Sequence, residues 1–267
     1  MASDKHPGSL FRPFLLGILL MLFHGGAAQF CSFWNTGCVD PVAQTAVSLG
    51  FQPVFPDPIT LFYGFDSSPS GKGEGPMTKV AYWLRYQDTH VSHDAVDANR
   101  TSEIALRIGN ITGVPSGGNN GCDGIWGPPC SEDLKAILRN TMFQMATSGE
   151  DHHKPLEAVL AQMIAWPPTL ENCPPQMFEV ASIPVQDFVF ETMPGQRVSV
   201  MTPGTSAHPW QVWYLDDMTT HSQASEVAVG IISRAPSFND PPPTNLDDIQ
   251  VQLICLQAPS GRSSGSD

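Results

Sequence analysis

The stretch KVAYWLRYQ, residues Lys79–Gln87, alternates in side-chain character and is rich in aromatic residues. Four apolar or aromatic side chains share one face of this segment if it is extended: Val80, Tyr82, Leu84 and Tyr86. A period of two with these residue types is typical of a half-buried β-strand. The segment Glu103–Gly109 (EIALRIG) repeats the pattern, so the chain is predicted to be rich in β-structure.

The same criteria predict seven further strands, which carry β-branched or aromatic residues between turn-forming segments. They are Ile59–Phe65, Met177–Ala181, Val185–Glu191, Arg197–Met201, Trp210–Leu215, Glu226–Ser233 and Asp248–Gln257.

Three segments have helical patterns. Asp40–Leu49 begins with a capping residue and a proline and is followed by Gly50, so it is predicted as a short helix. Apolar residues then recur at helical spacing on either side of a polar turn, which predicts a helical hairpin at about residues 131–165. Together these elements indicate an α+β, mainly β fold: an antiparallel, sandwich-like single domain over residues 29–259, with the hairpin inserted.

Residues 1–28 have the pattern of a secretory signal peptide. Lys5 and Arg12 precede the apolar run Phe14–Phe23, and Gly26–Ala28 supplies small residues for cleavage after Ala28. The run is too short to cross a bilayer core, which needs about 20 apolar residues. We therefore expect secretion, no membrane attachment after cleavage, and a disordered polar tail at residues 260–267.

The chain has 267 residues and a net charge of −13. Nucleic-acid binding and docking on anionic lipid both require a basic surface, so this charge argues against both partners.

The six cysteines all follow the predicted leader: Cys31, Cys38, Cys122, Cys130, Cys173 and Cys255. An even number in an exported chain indicates disulfides, although fifteen pairings exist. Short loops favour Cys31–Cys38 and Cys122–Cys130, which would leave Cys173–Cys255. No pair has the C-x2-C spacing of a zinc site. Two sequons, at Asn99 and Asn110, are expected glycosylation sites.

Candidate catalytic residues are few. His152 and His153 follow Glu150-Asp151 in the hairpin turn, where a carboxylate could orient an imidazole as a base. Asp217 follows an aromatic strand and could serve in glycoside cleavage. The His90-Val91-Ser92-His93 motif lies in a polar loop without metalloenzyme spacing, so no metal is predicted. The chain has no nucleotide-binding motif, and no cofactor is expected.

Aromatic residues are the remaining functional signal. Trp210, Trp213 and Tyr214 lie on or beside one predicted strand, and such rings can stack on sugars or hold flat apolar ligands. Trp210 would share a face with Tyr214, and Trp213 with Gln211 and Leu215. One tryptophan is expected in the core, and the Gln211 side is the expected ligand face.

The segment Ser116–Gly127 (SGGNNGCDGIWG), together with Met201–Gly204 and Trp210–Tyr214, resembles uncharacterised secreted proteins of filamentous fungi. This resemblance implies a fungal secretory origin. It implies no activity, and it assigns no catalytic residue.

The first functional hypothesis is a secreted, disulfide-bonded glycoprotein that binds a glycan, a cell-wall component or a small apolar molecule. The alternative is a secretory-pathway enzyme without a nucleotide cofactor, such as an isomerase, a cyclase or a hydrolase. A purely structural secreted protein is the third hypothesis.

Overall fold

The computed structural model describes residues 31–73, 75–87, 91, 99–149, 153–191, 198–215, 224–237 and 241–259. Contacts divide the chain into two units, Met1–Cys31 and Ser32–Asp267. Of the first unit only Cys31 is described, and the fold below is that of the second.

Nine strands and two α-helices make up the described fold. The strands are β1 (Ala43–Phe51), β2 (Phe55–Ser68), β3 (Met77–Arg85), β4 (Arg100–Arg107), β5 (Val185–Glu191), β6 (Val198–Val200), β7 (Gln211–Leu215), β8 (Val227–Pro236) and β9 (Gln250–Gln257). The helices are α1 (Asp123–Ser148) and α2 (Pro155–Ala165), and short 3-10 turns cover Asn119–Gly121, Pro175–Phe178 and Leu246–Asp248.

The strands form two antiparallel sheets. The four-stranded sheet has the order β1-β2-β3-β7, and the five-stranded sheet has the order β6-β5-β4-β8-β9. Between them lies a core of side chains from the inward positions of both sheets: Ile59, Leu61, Phe65, Val80, Leu84, Ile104, Leu106, Phe188, Ile232, Ile254 and Leu256. Tyr82 of β3 reaches across this core, and its hydroxyl donates to the carbonyl oxygen of Ile104 at 3.0 Å. The expected mainly β, sandwich-like fold is confirmed.

A second core lies between the five-stranded sheet and the two helices. The helices contribute Leu134, Leu138, Met142, Leu156, Val159, Leu160 and Met163, and the sheet contributes Ala105, Val227, Val229, Ile231, Val251 and Leu253. Because β8 is covered on both faces, its sequence is a continuous apolar run rather than an alternating one. The structure therefore has three layers: sheet, sheet and helices.

The helical hairpin is confirmed, with a different start. α1 begins at Asp123 and contains a kink at Gly127, whose φ of 84° is left-handed and favours glycine. Pro128 and Pro129 follow the kink, where the first turn of a helix tolerates proline. The helix ends at Gly149, whose φ of 75° gives the expected left-handed stop.

Two predicted elements are wrong. Asp40–Leu49 is not a helix, because residues from Ala43 onward form β1 and pair with β2. Pairing with a long neighbouring strand outweighs the weak helical spacing of this segment. Met177–Ala181 is not a strand either, since Pro175–Phe178 forms a 3-10 turn whose Met177 and Phe178 fill the second core.

The disulfides join different cysteines from those expected. Cys122 pairs with Cys255, and Cys130 pairs with Cys173. The predicted Cys122–Cys130 and Cys173–Cys255 pairs are therefore wrong, because Cys122, just before α1, and Cys130, within α1, contact different neighbours. Cys31 and Cys38 are also disulfide-bonded and no cysteine is free, which leaves these two as the expected third pair.

Candidate functional site

Three aromatic rings meet on the outer face of the four-stranded sheet. Phe33 and Trp34 precede β1, and Tyr214 lies in β7; we call these residues the aromatic cluster. The Trp34 ring stacks on the Tyr214 ring, with centroids 5.9 Å apart and planes 29° apart. Phe33 packs edge-on against Trp34 at 4.8 Å. Trp34 is 46% exposed, so the cluster presents a ring to solvent.

Strand register explains why Tyr214 points outward. Tyr214 lies opposite Lys79 of β3, and Lys79 lies opposite Asp66 of β2. Directly opposite residues share a face, so these three side chains form one row across the sheet. The inward row beside it contains Val80 and Trp213. The outer row is therefore the one that supports the aromatic cluster.

A buried lysine holds the Phe33–Trp34 segment on the sheet. The Lys79 ammonium is fully buried and donates to the carbonyl oxygens of Asn35 at 2.6 Å and Ser32 at 3.2 Å. Burial lowers the pKa of Lys79, and the charge of Asp66 opposes that shift. The Tyr214 hydroxyl adds a third tie by donating to the carbonyl oxygen of Phe33 at 2.9 Å. The rings are thus preorganised, which reduces the entropy lost on binding.

The other two predicted ligand residues occupy different environments. Trp210 is buried, stacks on Phe188 at 5.9 Å and donates its indole N–H to the carbonyl oxygen of Thr202. Trp213 lies on the inward face, half-buried and edge-on to Tyr82 at 6.0 Å. The Gln211 side of β7 therefore faces the inter-sheet core, and of the three predicted residues only Tyr214 belongs to the outer row.

The predicted catalytic residues are only partly described. His152 and Asp217 lie outside the described residues, as do both histidines of the His90–His93 motif. His153 is exposed and lies just before α2. Within the described ranges, no group of three His, Cys, Asp or Glu side chains is placed to hold a metal ion.

The structure reveals a buried carboxyl group that sequence analysis missed. Glu103 of β4 has no exposed surface and accepts hydrogen bonds from the backbone N–H groups of Leu156 and Glu157, at the start of α2. Burial raises its pKa to about 8, and the two N–H bonds oppose the shift. The strand pattern itself carried the signal. Glu103 and Ile104 point to opposite faces of β4, and the helices cover the face of Glu103.

Charged residues surround this carboxyl group. Asp187 of β5 lies opposite Glu103, and burial raises the Asp187 pKa while the charge of Lys154 lowers it. The Lys154 ammonium lies 3.2 Å from a Glu157 oxygen and 3.7 Å from an Asp187 oxygen. Glu103 has the raised pKa of a general acid. Its carboxyl group is fully buried, however, and both of its oxygens are bonded to backbone N–H groups, so we interpret it as a helix cap.

A cavity of about 400 Å³ opens at the end of the four-stranded sheet where β2 begins and β3 ends. It is lined by Phe55, Asp57, Pro58, Tyr86 and Gln87. The Phe55 and Tyr86 rings lie 4.7 Å apart, and the Tyr86 hydroxyl donates to the carbonyl oxygen of Met201. The wall therefore combines fixed aromatic rings with a carboxyl and an amide group.

Both sequon asparagines are exposed. Neither described helix, α1 nor α2, is long and apolar enough to cross a membrane.

Comparisons with family models, curated proteins and solved structures find no match to this chain.

Proposed function

We propose that this protein is exported and binds a neutral glycan on the aromatic cluster. The observation that carries the proposal is the half-exposed Trp34 ring, stacked on Tyr214 and tied down through Lys79. The apolar faces of sugar rings stack on such side chains. The net charge of −13 disfavours anionic polymers and so supports a neutral ligand. Three disulfides fit an oxidising compartment.

Titration with neutral oligosaccharides tests the binding site. Soluble β-glucan, chitin and mannan oligomers would be titrated by calorimetry into the full-length mature chain and into Trp34→Ala. We expect a binder among them and about a tenfold affinity loss in the variant, equal to roughly 1.4 kcal/mol. Trp166→Ala is the matched control, because Trp166 is 76% exposed and lies outside the cluster. Equal loss in both variants, or binding unchanged by Trp34→Ala, would refute the site.

Export has its own test. The full chain, expressed in a eukaryotic secretory host, should appear in the medium with Gln29 as its first residue and without free thiols. Retention in the cell with the leader attached would contradict export. The glycan titration would still test binding, because it does not depend on export.

A small apolar ligand in the cavity beside Tyr86 is the second candidate function. Its volume is within the range of ligand pockets, and its two rings offer a flat apolar wall. Tyr86→Ala removes one of these two rings and should weaken such a ligand without touching the aromatic cluster, whereas Trp34→Ala should leave its binding unchanged. The two variants therefore separate the two functions.

A further inference from the structure

Phe62 of β2 forms a second aromatic platform on the outer face of the four-stranded sheet. Its ring stacks on that of Trp83, its directly opposite neighbour in β3, with centroids 5.4 Å apart and planes 2° apart. Trp83 is buried, whereas Phe62 is only half-buried. The orientation of the Phe62 ring is therefore fixed before any ligand arrives, which reduces the entropy lost on binding.

This platform lies on the same face as the aromatic cluster. Side chains two residues apart along a strand share a face. Phe62 and Asp66 are four residues apart in β2, and Asp66 belongs to the row that supports the cluster. From Phe62 to Tyr214 the path is four residues along a strand and two strands across, or about 13 Å by about 10 Å. Four or more linked sugar units span that distance.

The side of the Phe62 ring that is not stacked faces β1, which offers one small residue and neutral polar groups. Ala46 lies opposite Phe62, and its short side chain is exposed. On one side of this pair, the hydroxyl groups of Ser48 and Thr60 share a hydrogen bond of 3.1 Å. On the other side, Gln44 contributes an exposed amide. An apolar ring beside neutral hydrogen-bonding groups matches a sugar, which has an apolar face and hydroxyl groups.

Uncharged residues lie between the two platforms. A Cβ on Gly64 would lie 3.1 Å from Cβ of Pro41, so Pro41 packs on the sheet at this point. Ala81 is opposite Gly64 and is buried. A neutral polymer can cross these residues without displacing water from a charged side chain.

We propose that Phe62 is a second subsite of the glycan site, so that the protein binds a linear polysaccharide across the sheet rather than a single terminal sugar. The second subsite rests on the proposed function, because it extends the ligand held at Trp34. Two stacking positions on one rigid sheet engage the same polymer, so the second contact forms within a complex that already exists. Affinity should therefore rise with the length of the oligosaccharide until both rings are covered.

The length of the ligand tests this proposal on the full-length mature protein. Dimers, tetramers and hexamers of the β-glucan, chitin and mannan series would be titrated by calorimetry. In the series that binds, we expect the hexamer to bind at least about tenfold more tightly than the dimer. Equal affinities of dimer and hexamer would overturn the second subsite and leave glycan binding at Trp34 intact. Absence of binding in every series would refute the proposed function and the second subsite with it.

Two variants of Phe62 locate the second contact. Phe62→Leu keeps an apolar side chain against Trp83 but has no flat face, and Phe62→Ala removes the contact entirely. Each should lower the hexamer affinity about fivefold and leave the dimer affinity unchanged, whereas Trp34→Ala should lower both. If Phe62→Ala fails to fold, Phe62→Leu decides alone. Trp166→Ala should bind as the parent does, and hexamer binding by Phe62→Leu as tight as that of the parent would overturn the proposal.

Discussion

Glu103 accepts a hydrogen bond from the backbone N–H of Leu156 at 2.7 Å, across 53 positions of the chain. Its second oxygen accepts from the N–H of Glu157 at 3.2 Å. A side chain from the middle of a sheet thus caps the first turn of α2, where helix N–H groups otherwise lack partners. The same contact buries a carboxyl group whose pKa is raised to about 8.

This raised pKa predicts a pH-dependent stability. Between roughly pH 4.5 and pH 8, folded Glu103 keeps a proton that the unfolded chain releases, so the free energy of unfolding should fall as pH rises. Each unit of pKa difference corresponds to about 1.4 kcal/mol. Urea unfolding of the parent and of Glu103→Gln between pH 5 and pH 8 measures the effect. The variant should show a flatter profile, and parallel profiles would contradict the assignment.

Removing the cap should loosen α2 specifically. Glu103→Ala leaves the buried N–H group of Leu156 and the partly buried N–H group of Glu157 without acceptors, which should cost about 1–3 kcal/mol of stability. Hydrogen exchange at the amides of Leu156 and Glu157 should accelerate more than exchange in α1. Glu157→Ala is the control, because its carboxylate is half-exposed and should contribute less than about 1 kcal/mol. Similar costs for both variants would argue against a cap.

The two described disulfides should differ in their contribution to stability. Cys122–Cys255 spans 133 residues and Cys130–Cys173 spans 43. In the chain-entropy treatment, these loops correspond to about 5 and about 4 kcal/mol. Paired Cys→Ser variants, compared by thermal unfolding, should rank in that order. A larger loss from the shorter loop would show that packing around the sulfurs outweighs chain entropy.

Gly204 should not tolerate a side chain. A Cβ there would lie 2.5 Å from Cβ of Trp83 and 3.0 Å from a ring carbon of Trp210, and the Trp83 atom lies next to the backbone. Gly204→Ala should therefore cost about 1–3 kcal/mol by overpacking. Gly50→Ala is the matched control, because a Cβ there has open space. Equal melting temperatures for the two variants would contradict this close packing.

Glycosylation at the two sequons can be read from gel mobility. Both asparagines are exposed, so each should accept a glycan in a secretory host. Asn99→Gln and Asn110→Gln should each remove one mobility shift, and the double variant should match enzymatically deglycosylated parent. A parent insensitive to deglycosylation would show that neither site is used.

Most strands could be predicted because each one carries its own pattern. Val80, Tyr82 and Leu84 alternate within a single segment, and their burial follows from that segment alone. The helix prediction for Asp40–Leu49 was wrong because the apolar residues of this segment are weakly spaced for both a helix and a strand. Pairing with β2 decides its conformation. The aromatic cluster was only partly predicted: Tyr214 was recognised, but Trp34 lies 180 positions away in the chain and joins it through Lys79.

Local order along the chain determined most of the extended segments, where the hairpin helices lie and that six thiols were available for disulfides, because these properties depend on neighbours a few residues apart. The tertiary structure decided which cysteines pair, that Glu103 is buried beneath a helix, and that Trp213 turns inward while Tyr214 turns outward. Each of these depends on groups brought together from distant parts of the chain. Burial, register and charge pairing arise only when the layers pack, since they are properties of two surfaces in contact.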